Sequence, residues 1–289
     1  MVQGDPLIRN VSDTALWVAA YRAQESALPD AAFKDPFAKK LAGQRGQDIA
    51  ANQAVMSNML WPFTARTWLI DKLIKEQITR GTNHIINLAA GLDMRPYRMQ
   101  LPSDLVWTEI DLPGILDYKE SVISKEEPNC KLRRIRCDLS NEKERSKVFH
   151  ELANDGTDAM VISEGLLIYL SYDEVNSLAS DIHALKTCHS WIIDIVSPGL
   201  MKMMKEKMDE KLDDANASFK FAPVEGSRYF LPFGWHTKEE LSIFKTARKL
   251  GRLSFFMGLL ALLPEREKDR VKRPWSGVIH LSKANKVTG

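Results

Sequence analysis

The chain has little cysteine, which limits what can hold the protein together. Its 289 residues include three, Cys130, Cys137 and Cys188. Disulfide frameworks and structural zinc sites use more cysteines, at closer and more regular spacings. We therefore expect the three thiols to be buried apolar residues. This usage is typical of a reducing compartment and predicts a soluble, cytoplasmic protein without a bound metal.

Long apolar runs are also absent. The longest, Phe255–Leu263, has nine residues, whereas a helix needs roughly 20 to cross a bilayer. The amino end shows no basic segment followed by an apolar one, so it does not resemble a signal peptide. The sequence therefore predicts no membrane partner.

Neither sign of charge dominates the composition. Forty basic and 38 acidic residues leave a formal net charge of +2, and no block of lysine or arginine stands out. Proteins that bind nucleic acid usually concentrate basic charge on an arm or a patch. The balance predicts a small-molecule partner and no nucleic acid, and the sequence does not indicate an oligomeric state.

What the chain does contain is a series of strand-like segments that end in small or acidic residues. The first is HIINLAAGLDMRPYR, His84 to Arg98, in which a short apolar run gives way to Ala89-Ala90-Gly91 and then to Asp93. This order predicts the first strand and turn of a βαβ unit, and ligands bind beyond the carboxyl ends of such strands. A turn aspartate that bonds its own backbone would also explain Asp93.

An acidic residue ends the second predicted strand. Leu105–Ile110 is followed by Asp111, 20 positions after Gly91. This is the spacing of the acid that accepts hydrogen bonds from ribose hydroxyls in nucleotide-binding α/β folds. Alternation along the strand places Glu109 on the same side but deeper. The alternative for Asp111 is an exposed acid favoured by the dipole of a helix that begins at Pro113.

Two further predicted strands also end in acids. Lys131–Arg136 is basic enough for a sheet edge and precedes Asp138, and Asp158–Ser163 runs directly into Glu164. A buried glutamate is costly without a cationic partner, and none stands near Glu164 in the sequence. Asp138 would be unremarkable as a helix cap.

The remaining segments complete an α/β pattern. Residues 1–60 are predicted to be helical, and an irregular insertion interrupts the later part of the chain. The other predicted elements are a helix over Trp61–Arg80, a capping box of Ser171 and Glu174, a strand over Trp191–Val196, an insertion over residues 200–235, a helix capped by Thr237 and Glu240, and strands near Leu253–Met257 and Gly277–Ser282.

Four segments resemble motifs of the leucine carboxyl methyltransferase family. They are NLAAGLDMRPYRM from Asn87, EIDLP from Glu109, CDL from Cys137 and SEGLLIYL from Ser163, in the family's order and at its spacings. The amino end, Thr14–Ala38, resembles the bacterial branch that methylates small molecules, including polyketide intermediates. One departure stands out, because Ala89 occupies the place of the first glycine in the family's turn.

The resemblance implies a Rossmann-like, seven-stranded methyltransferase fold of class I that uses S-adenosylmethionine. Residues 1–289 would form one methyltransferase domain. Within it, residues 1–60 would form a helical lid over cofactor and substrate, and residues 200–235 would form a cap over the acceptor. An outer helical layer without a lid function is the alternative for the amino end.

The resemblance also assigns roles to individual residues. Arg66 would bind the carboxylate of the cofactor's methionine moiety, for which its planar fork is suited, and a solvated arginine on a helix face is the alternative. Glu164 would bind the ammonium group, and Tyr169 would lie beside it at the transferred methyl group or the acceptor. The other implied cofactor-binding residues are Ala89, Gly91 and Asp93 in the first turn, Asp111 and Leu112 at the end of the second strand, and Asp138 and Leu139 at the adenine.

These features predict an enzyme that transfers a methyl group from S-adenosylmethionine to a carboxylate of a small-molecule acceptor. Two alternatives stay open: methylation of a phenol-type hydroxyl, and a cofactor-binding scaffold that has lost catalysis, to which Ala89 points. A nicotinamide oxidoreductase is disfavoured because Ala89-Ala90-Gly91 lacks the three-glycine fingerprint. A hydroxyl acceptor needs a general base, and His236, just after the insertion, is the candidate to test.

Overall fold

The computed structural model describes residues 11–52, 60–153, 158–213 and 218–284. Within these ranges the helices are α1 (Val11–Ser26), α2 (Ala38–Asn52), α3 (Leu60–Thr79), α4 (Arg95–Arg98), α5 (Pro113–Val122), α6 (Glu142–Ala153), α7 (Tyr172–Ala184), α8 (Pro198–Asp213), α9 (Ile243–Lys249) and α10 (Phe255–Leu260). The strands are β1 (His84–Leu88), β2 (Val106–Asp111), β3 (Lys131–Arg136), β4 (Ala159–Ser163), β5 (Cys188–Val196), β6 (Trp235–Ser242) and β7 (Ser276–Lys283).

All seven strands form one sheet in the order β3-β2-β1-β4-β5-β7-β6. Strands β1 to β5 run parallel, and β7 is antiparallel to both β5 and β6. Because β1 lies between β2 and β4, the order of the strands reverses between β1 and β4. Rossmann-like sheets bind their ligands at such a reversal, beyond the carboxyl ends of the strands.

Burial on both faces explains the central strands. Every residue of β1 and β4 is buried, as expected for apolar parallel strands that are covered on both sides. Alternate side chains go to opposite faces, so Ile85 packs in a cluster with α3 and Ile86 packs in another with α7. The sheet is therefore a rigid platform whose carboxyl edge can hold polar groups in place.

A third apolar cluster joins the amino-terminal helices to the segment after β5. Trp17 of α1, Leu41 of α2, Met201 of α8 and Phe219 share this cluster. The two regions that are predicted from the sequence to form the lid and the cap thus pack against one another. Of those regions, residues 1–10, 53–59 and 214–217 lie outside the described residues.

Two of the arginines that fasten α1 to the rest of the molecule are Arg22 and Arg252. Arg22 donates to Asp35 at 3.0 Å and to the carbonyl oxygen of Leu92, in the turn after β1, at 2.6 Å. Arg252, between α9 and α10, pairs with the fully buried Glu25 at 2.9 Å. Removing one partner of a buried pair leaves an uncompensated charge, so these contacts hold α1 in one position.

The structure corrects the expected helix start near Thr237. Trp235–Ser242 forms strand β6, and Thr237 and Glu240 do not cap a helix. Helix α9 begins later and is capped by Ser242, whose hydroxyl accepts the Lys245 N–H at 3.2 Å. Pairing with β7 overrides the local helical pattern, and charged residues suit β6 because it is an edge strand.

A second correction concerns Leu253–Met257, for which the sequence predicts a strand. Phe255–Leu260 instead forms helix α10. Periodicity does not separate helix from strand in short apolar runs, and β6 already occupies the position beside β7. The predicted strand Gly277–Ser282 is confirmed within β7.

Several other predicted elements are confirmed. Helix α3 matches the helix predicted over Trp61–Arg80, and β1 to β5 match the first five predicted strands to within a few residues. Pro113 opens α5, and Ser171 and Glu174 make both hydrogen bonds of a capping box. The three cysteines are buried, and the basic strand β3 lies at a sheet edge.

The close contact between α1 and α2 generates the first prediction. A Cβ atom at Gly46 would lie 2.6 Å from the carbonyl oxygen of Leu16, so Gly46→Ala must push the two helices apart. We expect it to lower the free energy of unfolding, measured in urea, by about 1–3 kcal/mol. The control is Gly114→Ala in α5, where an added Cβ meets nothing within 4 Å. This control should stabilise by about 0.4–1 kcal/mol because alanine restricts the unfolded chain. Equal effects of the two changes would contradict the tight helix contact.

Candidate active site

The carboxyl ends of three adjacent strands bring the candidate residues to one edge of the sheet. In the register of the sheet, Leu88 of β1 lies beside both Ile110 of β2 and Ser163 of β4. The residues that directly follow these three strands are therefore neighbours. They are the turn from Ala89, Asp111 and Glu164.

Backbone donors hold the Asp111 carboxylate. One oxygen accepts the Gly91 N–H at 2.6 Å and the other accepts the Leu112 N–H at 2.7 Å. Burial raises the pKa of Asp111 above the ordinary value of an aspartate, although the two N–H groups oppose this shift. The Leu112 side chain is 40% exposed. Each carboxylate oxygen has a second lone pair, so this arrangement suits a ribose with an apolar base beside it.

Glu109 supports the site from below. Its two oxygens accept hydrogen bonds from Lys119 at 2.7 Å and from Arg134 at 2.8 Å, and the Glu109 and Lys119 side chains are both fully buried. Lys119 also donates to the carbonyl oxygen of Asp93. The sequence places Glu109 on the same side as Asp111 but deeper, and at that depth it braces the turn after β1.

Ala89 has a backbone conformation that favours glycine. Its φ is 51°, and among the described residues no other non-glycine residue has a positive φ. For a residue with a Cβ, the left-handed conformation is unfavourable by roughly 1–2 kcal/mol. This cost is the physical reason why the family that the sequence resembles has a glycine here. Next to it, the Ala90 N–H donates to the carbonyl oxygen of Ile110 at 3.3 Å and so ties the turn to the end of β2.

Glu164 has cationic partners that lie far away in the sequence. Arg66 of α3 donates to Glu164 and to Asp194 of β5, at 3.0 Å in each case, and Arg95 donates to Glu164 at 2.8 Å. Burial opposes ionisation of Glu164, but the charges of Arg95 and Arg66 hold its pKa below the ordinary value. Arg66 is therefore a member of a buried charge cluster and not a solvated residue on a helix face.

The turn after β4 depends on Gly165. Its φ is 66°, in the left-handed region that glycine adopts most easily. The Gly165 N–H donates to Asp194 at 2.6 Å, and a Cβ atom at this position would lie 3.4 Å from Nη1 of Arg66. Glycine thus lets the guanidinium lie against the turn, next to Glu164.

Arg95 is the centre of the charge cluster. Its side chain is 2% exposed and donates to Asp71 at 2.7 Å, to Asp93 at 2.7 Å and to Glu164 at 2.8 Å. Arg98 adds two bonds to Asp71, at 2.7 and 2.8 Å. Three guanidiniums thus serve four carboxylates in this cluster, namely Arg66, Arg95 and Arg98 with Asp71, Asp93, Glu164 and Asp194.

Asp93 makes the turn that the alternative interpretation predicts. Its Oδ1 accepts the Arg95 N–H at 2.9 Å, and its Oδ2 accepts from Asn87 at 2.9 Å and from the Arg95 side chain at 2.7 Å. Burial works against ionisation, yet the charges of Arg95, Arg98 and Lys119 hold the pKa of Asp93 well below its usual range. Asp93 therefore fixes the shape of the turn from which the site is built.

Asp138 and Leu139 lie at the end of β3, one strand beyond Asp111. The Cys137 N–H donates to the carbonyl oxygen of Asp111 at 2.9 Å, which keeps the two strand ends together. Asp138 accepts from the N–H of Ser140 at 2.9 Å and from its hydroxyl at 2.7 Å, and Leu139 is buried. The Asp138 carboxylate thus closes a turn through Ser140, whereas α6 is capped by Asn141, whose side-chain oxygen accepts the N–H groups of Lys143 at 3.2 Å and Glu144 at 3.3 Å.

Tyr169 contacts the amino-terminal helix. Its side chain is hydrogen-bonded to that of Thr14 in α1, and its ring centroid lies 5.7 Å from that of Phe219. Burial raises the pKa of Tyr169 above its ordinary value, although Thr14 and the charge of Arg66 oppose the shift. An ordinary tyrosine already titrates near 10, so this hydroxyl is protonated at neutral pH and can donate a hydrogen bond.

Four residues of the cluster escaped the sequence interpretation, namely Asp71, Arg95, Arg98 and Asp194. A signal for Asp194 was present, because it is the one charged residue in the apolar segment WIIDIV, Trp191 to Val196, and a charge in a buried strand needs a partner. Arg95 had no comparable signal. It follows a turn in which an exposed arginine would be ordinary.

A comparison with solved structures supports the fold. A DUF574 family protein from Streptomyces avermitilis superimposes with a TM-score of 0.53 over 92% of this chain and 97% of that one, at 10% sequence identity. At this identity the likeness shows the fold alone. It agrees with the seven-stranded, Rossmann-like architecture of class I methyltransferases.

Sequence relatives identify the class of enzyme. A Mycobacteroides abscessus protein, provisionally named an S-adenosyl-L-methionine-dependent methyltransferase, is 29% identical over 242 residues, which are 76% of this chain and 78% of that protein. A Streptomyces coelicolor protein with the same provisional name is 33% identical over 184 residues, 58% of this chain and 63% of that protein. Fold, site and relatives together define an S-adenosylmethionine-dependent methyltransferase. The model of the leucine carboxyl methyltransferase family matches residues 15–183, more than half of the chain, and the protein belongs to this family.

The buried cluster generates the second prediction. Arg95→Met leaves Asp71, Asp93 and Glu164 buried with fewer cationic partners, and we expect it to lower the free energy of unfolding by about 3–5 kcal/mol at neutral pH. Denaturant titration measures the change. The control is Arg136→Met, which removes an exposed arginine paired with two exposed carboxylates and should scarcely alter stability. A similar, small effect of both changes would show that the cluster does not hold the strand ends together.

Proposed function

We propose that this enzyme transfers the methyl group of S-adenosylmethionine to a carboxylate oxygen of a small-molecule acceptor. When bound, the cofactor supplies an electrophilic sulfonium methyl group, so the protein has to align the reactants and exclude water. The observation that supports this proposal is the composition of the carboxyl edge of the sheet. An ionised arginine–carboxylate cluster lies there beside Asp111, and none of the six histidines does.

The salt bridge between Arg66 and Glu164 supports their proposed roles. The methionine end of the cofactor is a zwitterion, and this pair presents a cation beside an anion, with the two side chains 14% and 16% exposed. We assign the cofactor's carboxylate to Arg66, whose fork can donate two parallel hydrogen bonds, and its ammonium group to Glu164. Asp194 holds Arg66 from its other side. Both groups are thus charged and oriented before the cofactor arrives.

The adenosine end fits the ends of β2 and β3. We assign the ribose hydroxyls to Asp111, which the turn after β1 holds in place. Leu112 and Leu139 are proposed to line the adenine slot, and Asp138 is proposed to accept a hydrogen bond from the adenine amino group. The turn itself gives the cofactor its closest backbone approach, through Ala89, Gly91 and Asp93.

The acceptor is proposed to bind between the lid and the cap, with Tyr169 at their border. Apolar residues from both regions pack there, among them Trp17 of the lid and Met201 and Phe219 of the cap. Such a surface excludes water from an acceptor carboxylate. The protonated hydroxyl of Tyr169 can donate to the acceptor oxygen that does not attack and so orient the other one. On this proposal residues 1–60 act as the lid and residues 200–235 as the cap of one domain.

The position of His236 favours a carboxylate over a hydroxyl acceptor. His236 is the second residue of β6 and lies level with Ser190 in the register of the sheet, four residues before Asp194 of β5. At about 3.3 Å per residue, His236 is therefore displaced from Asp194 by about 13 Å along the strand direction, toward the amino edge of the sheet. A carboxylic acid with a pKa near 4 is already ionised at neutral pH, whereas a phenol near 10 must first lose a proton.

The other five histidines, which all fall within the described ranges, are no better placed. His84 and His280 are buried and hydrogen-bonded to Thr108 and Ser190. The remaining three lie in α6, in α7 and at the start of β5, at His150, His183 and His189. None therefore lies at the carboxyl edge to act as a general base for a hydroxyl.

The assigned cofactor contacts generate a paired prediction. We expect Arg66→Ala to weaken S-adenosylmethionine binding at least tenfold, because a charge-assisted hydrogen bond contributes roughly 1.5–3 kcal/mol. The same change should scarcely affect methylthioadenosine, which has no carboxylate. Asp111→Ala should weaken both ligands, because both contain the ribose. Calorimetric titration of the two ligands against both variants measures the pattern.

The matched control for this pair is Asp117→Ala, which removes an exposed aspartate of α5 and should leave both affinities unchanged. Equal losses of both ligands in Arg66→Ala would show that Arg66 supports the fold or the adenosine end. Unchanged affinities in a folded Asp111→Ala protein would remove Asp111 from the ribose site.

The acceptor class generates a prediction about pH. A screen of carboxylic acids and phenols with methyl-labelled cofactor should yield methyl esters. For such an acceptor the rate at saturation should be nearly flat from about pH 6 to 9, because both reactants keep their charges in that window. His236→Ala should change the rate little. A rate that rises steeply with pH, together with a roughly 10²-fold loss in His236→Ala, would establish base catalysis and overturn the carboxylate proposal in favour of hydroxyl methylation.

A further inference from the structure

The densest exposed apolar surface of the described chain lies on α10 and the turn that follows it. Across the described ranges 12 large apolar residues are exposed, and half of them fall within nine positions. Their exposed fractions run from 50% for Leu259 to 77% for Phe256. The six residues are Phe255, Phe256, Leu259, Leu260, Leu262 and Leu263. We call residues 253–264 the apolar tip. An exposed apolar patch of this kind marks an interaction site.

The apolar tip satisfies its own backbone. The Gly258 N–H donates to the carbonyl oxygen of Ser254 at 2.8 Å, and turn bonds continue to the N–H groups of Leu262 and Leu263, at 3.1 Å each. Residues 253–264 contain no charged side chain. Such a segment can enter an apolar medium because few backbone donors are left without a partner.

Basic residues flank the apolar tip on both sides. Residues 245–273 contain nine lysines and arginines but three acids, a net charge of +6, whereas the whole chain carries +2. Arg248 lines the same shallow groove as Phe255 and Leu259, so positive charge borders the apolar side chains directly. Six of the basic side chains are exposed, namely Arg248, Lys249, Arg266, Lys268, Lys272 and Arg273.

We propose that the apolar tip docks this enzyme onto the surface of an anionic lipid bilayer. The phenylalanine and leucine side chains enter the boundary between headgroups and acyl chains, and the basic residues contact the lipid charges. Apolar segments with aromatic residues and basic neighbours bind in this way, by buried apolar area together with attraction to anionic lipids. Among the described residues no helix is long and apolar enough to cross a membrane, and docking does not require one. The sequence expectation of no membrane partner considered only crossing, and the exposure of these side chains is what the structure adds.

The basic residues around the apolar tip favour a lipid surface over a second copy of the chain as its partner. In a symmetric dimer the same patch meets itself, so the basic residues around the tip would face one another and repel. An anionic bilayer instead offers negative charge around an apolar interior. It therefore satisfies the apolar centre and the basic rim of the patch at the same time.

Docking also positions the lid helix relative to the lipid. Arg252, at the base of the apolar tip, pairs with Glu25 of α1 at 2.9 Å and with Asp30 at 2.9 Å. The Arg252 side chain is 9% exposed and that of Glu25 is fully buried. The tip is thus joined by a buried ion pair to the helix whose Thr14 contacts Tyr169.

Sedimentation with vesicles tests the proposal. The intact protein is mixed with vesicles of phosphatidylcholine alone and with vesicles that contain about a quarter phosphatidylglycerol, at about 0.1 M salt, where the Debye length is about 10 Å. We expect binding to the anionic vesicles, at least tenfold weaker binding to the neutral ones, and release from the anionic vesicles as salt rises. Equal binding to both kinds of vesicle, or to neither, would overturn the proposal.

Matched variants locate the contact. Phe255→Ser/Phe256→Ser should weaken binding to anionic vesicles at least tenfold, whereas Val224→Ser/Leu231→Ser, which changes exposed apolar residues outside the tip, should not. Each lysine or arginine near a membrane surface contributes about 1 kcal/mol, so removing two should weaken binding roughly 10- to 30-fold. Lys249→Gln/Lys272→Gln tests this, with Lys39→Gln/Lys125→Gln as the control of equal net charge.

Two further measurements keep the outcome decisive. Circular dichroism and calorimetric binding of S-adenosylmethionine should match the wild-type values in every variant, which separates a lost membrane contact from a lost fold or a lost cofactor site. Sedimentation velocity in the absence of lipid should show no change in mass between the wild-type protein and Phe255→Ser/Phe256→Ser. A wild-type dimer that this double change converts to monomers would make the tip an interface between copies and refute membrane docking.

Discussion

A balance of buried charge at the carboxyl edge of the sheet fixes the geometry of this protein's candidate site. Its four carboxylates come from four different elements, α3, the turn after β1, the turn after β4, and β5, and the arginines of α3 and α4 hold them together. Buried ion pairs seldom stabilise a fold more than apolar packing would. What they provide is a defined arrangement, because each carboxylate must lie where a guanidinium can reach it.

The local sequence pattern predicted most of the strands of the sheet but not the edge strand β6. The first five strands combine apolar runs with turn or acidic residues at their ends, and the structure confirms all five. After Trp235 the local signals conflict with the tertiary ones. Thr237 and Glu240 read as a helix start, yet the segment pairs with β7 as an edge strand. The position beside β7 was open for a strand, and a pairing between segments about 40 residues apart leaves no local periodicity to detect.

For the site, sequence motifs indicated which residues gather at the sheet edge but not how they are paired. Arg66 and Glu164 are 98 positions apart, so neither reveals the other in the sequence. A buried glutamate was expected to need a cationic partner, and the fold provides two, Arg66 and Arg95. Ala89 shows the converse case. Its departure from the family's glycine is plain in the sequence, and the structure adds that this alanine lies in the left-handed region, with φ of 51°.

The directions of the pKa shifts separate two kinds of acid at this edge. Arginine charges outweigh burial at Glu164 and at Asp93 and hold the pKa of each below its ordinary value. These acids contribute to stability above the unfolded-state pKa near 4, and the contribution is lost as pH falls through their lower folded values. Burial instead raises the pKa of Asp111, so the ionised form of Asp111 costs stability in the ligand-free fold. Perturbed acids that do not serve the fold are characteristic of functional sites. Hydrogen bonds from ribose hydroxyls would favour the ionised form of Asp111, and this thermodynamic need supports the role we propose for it.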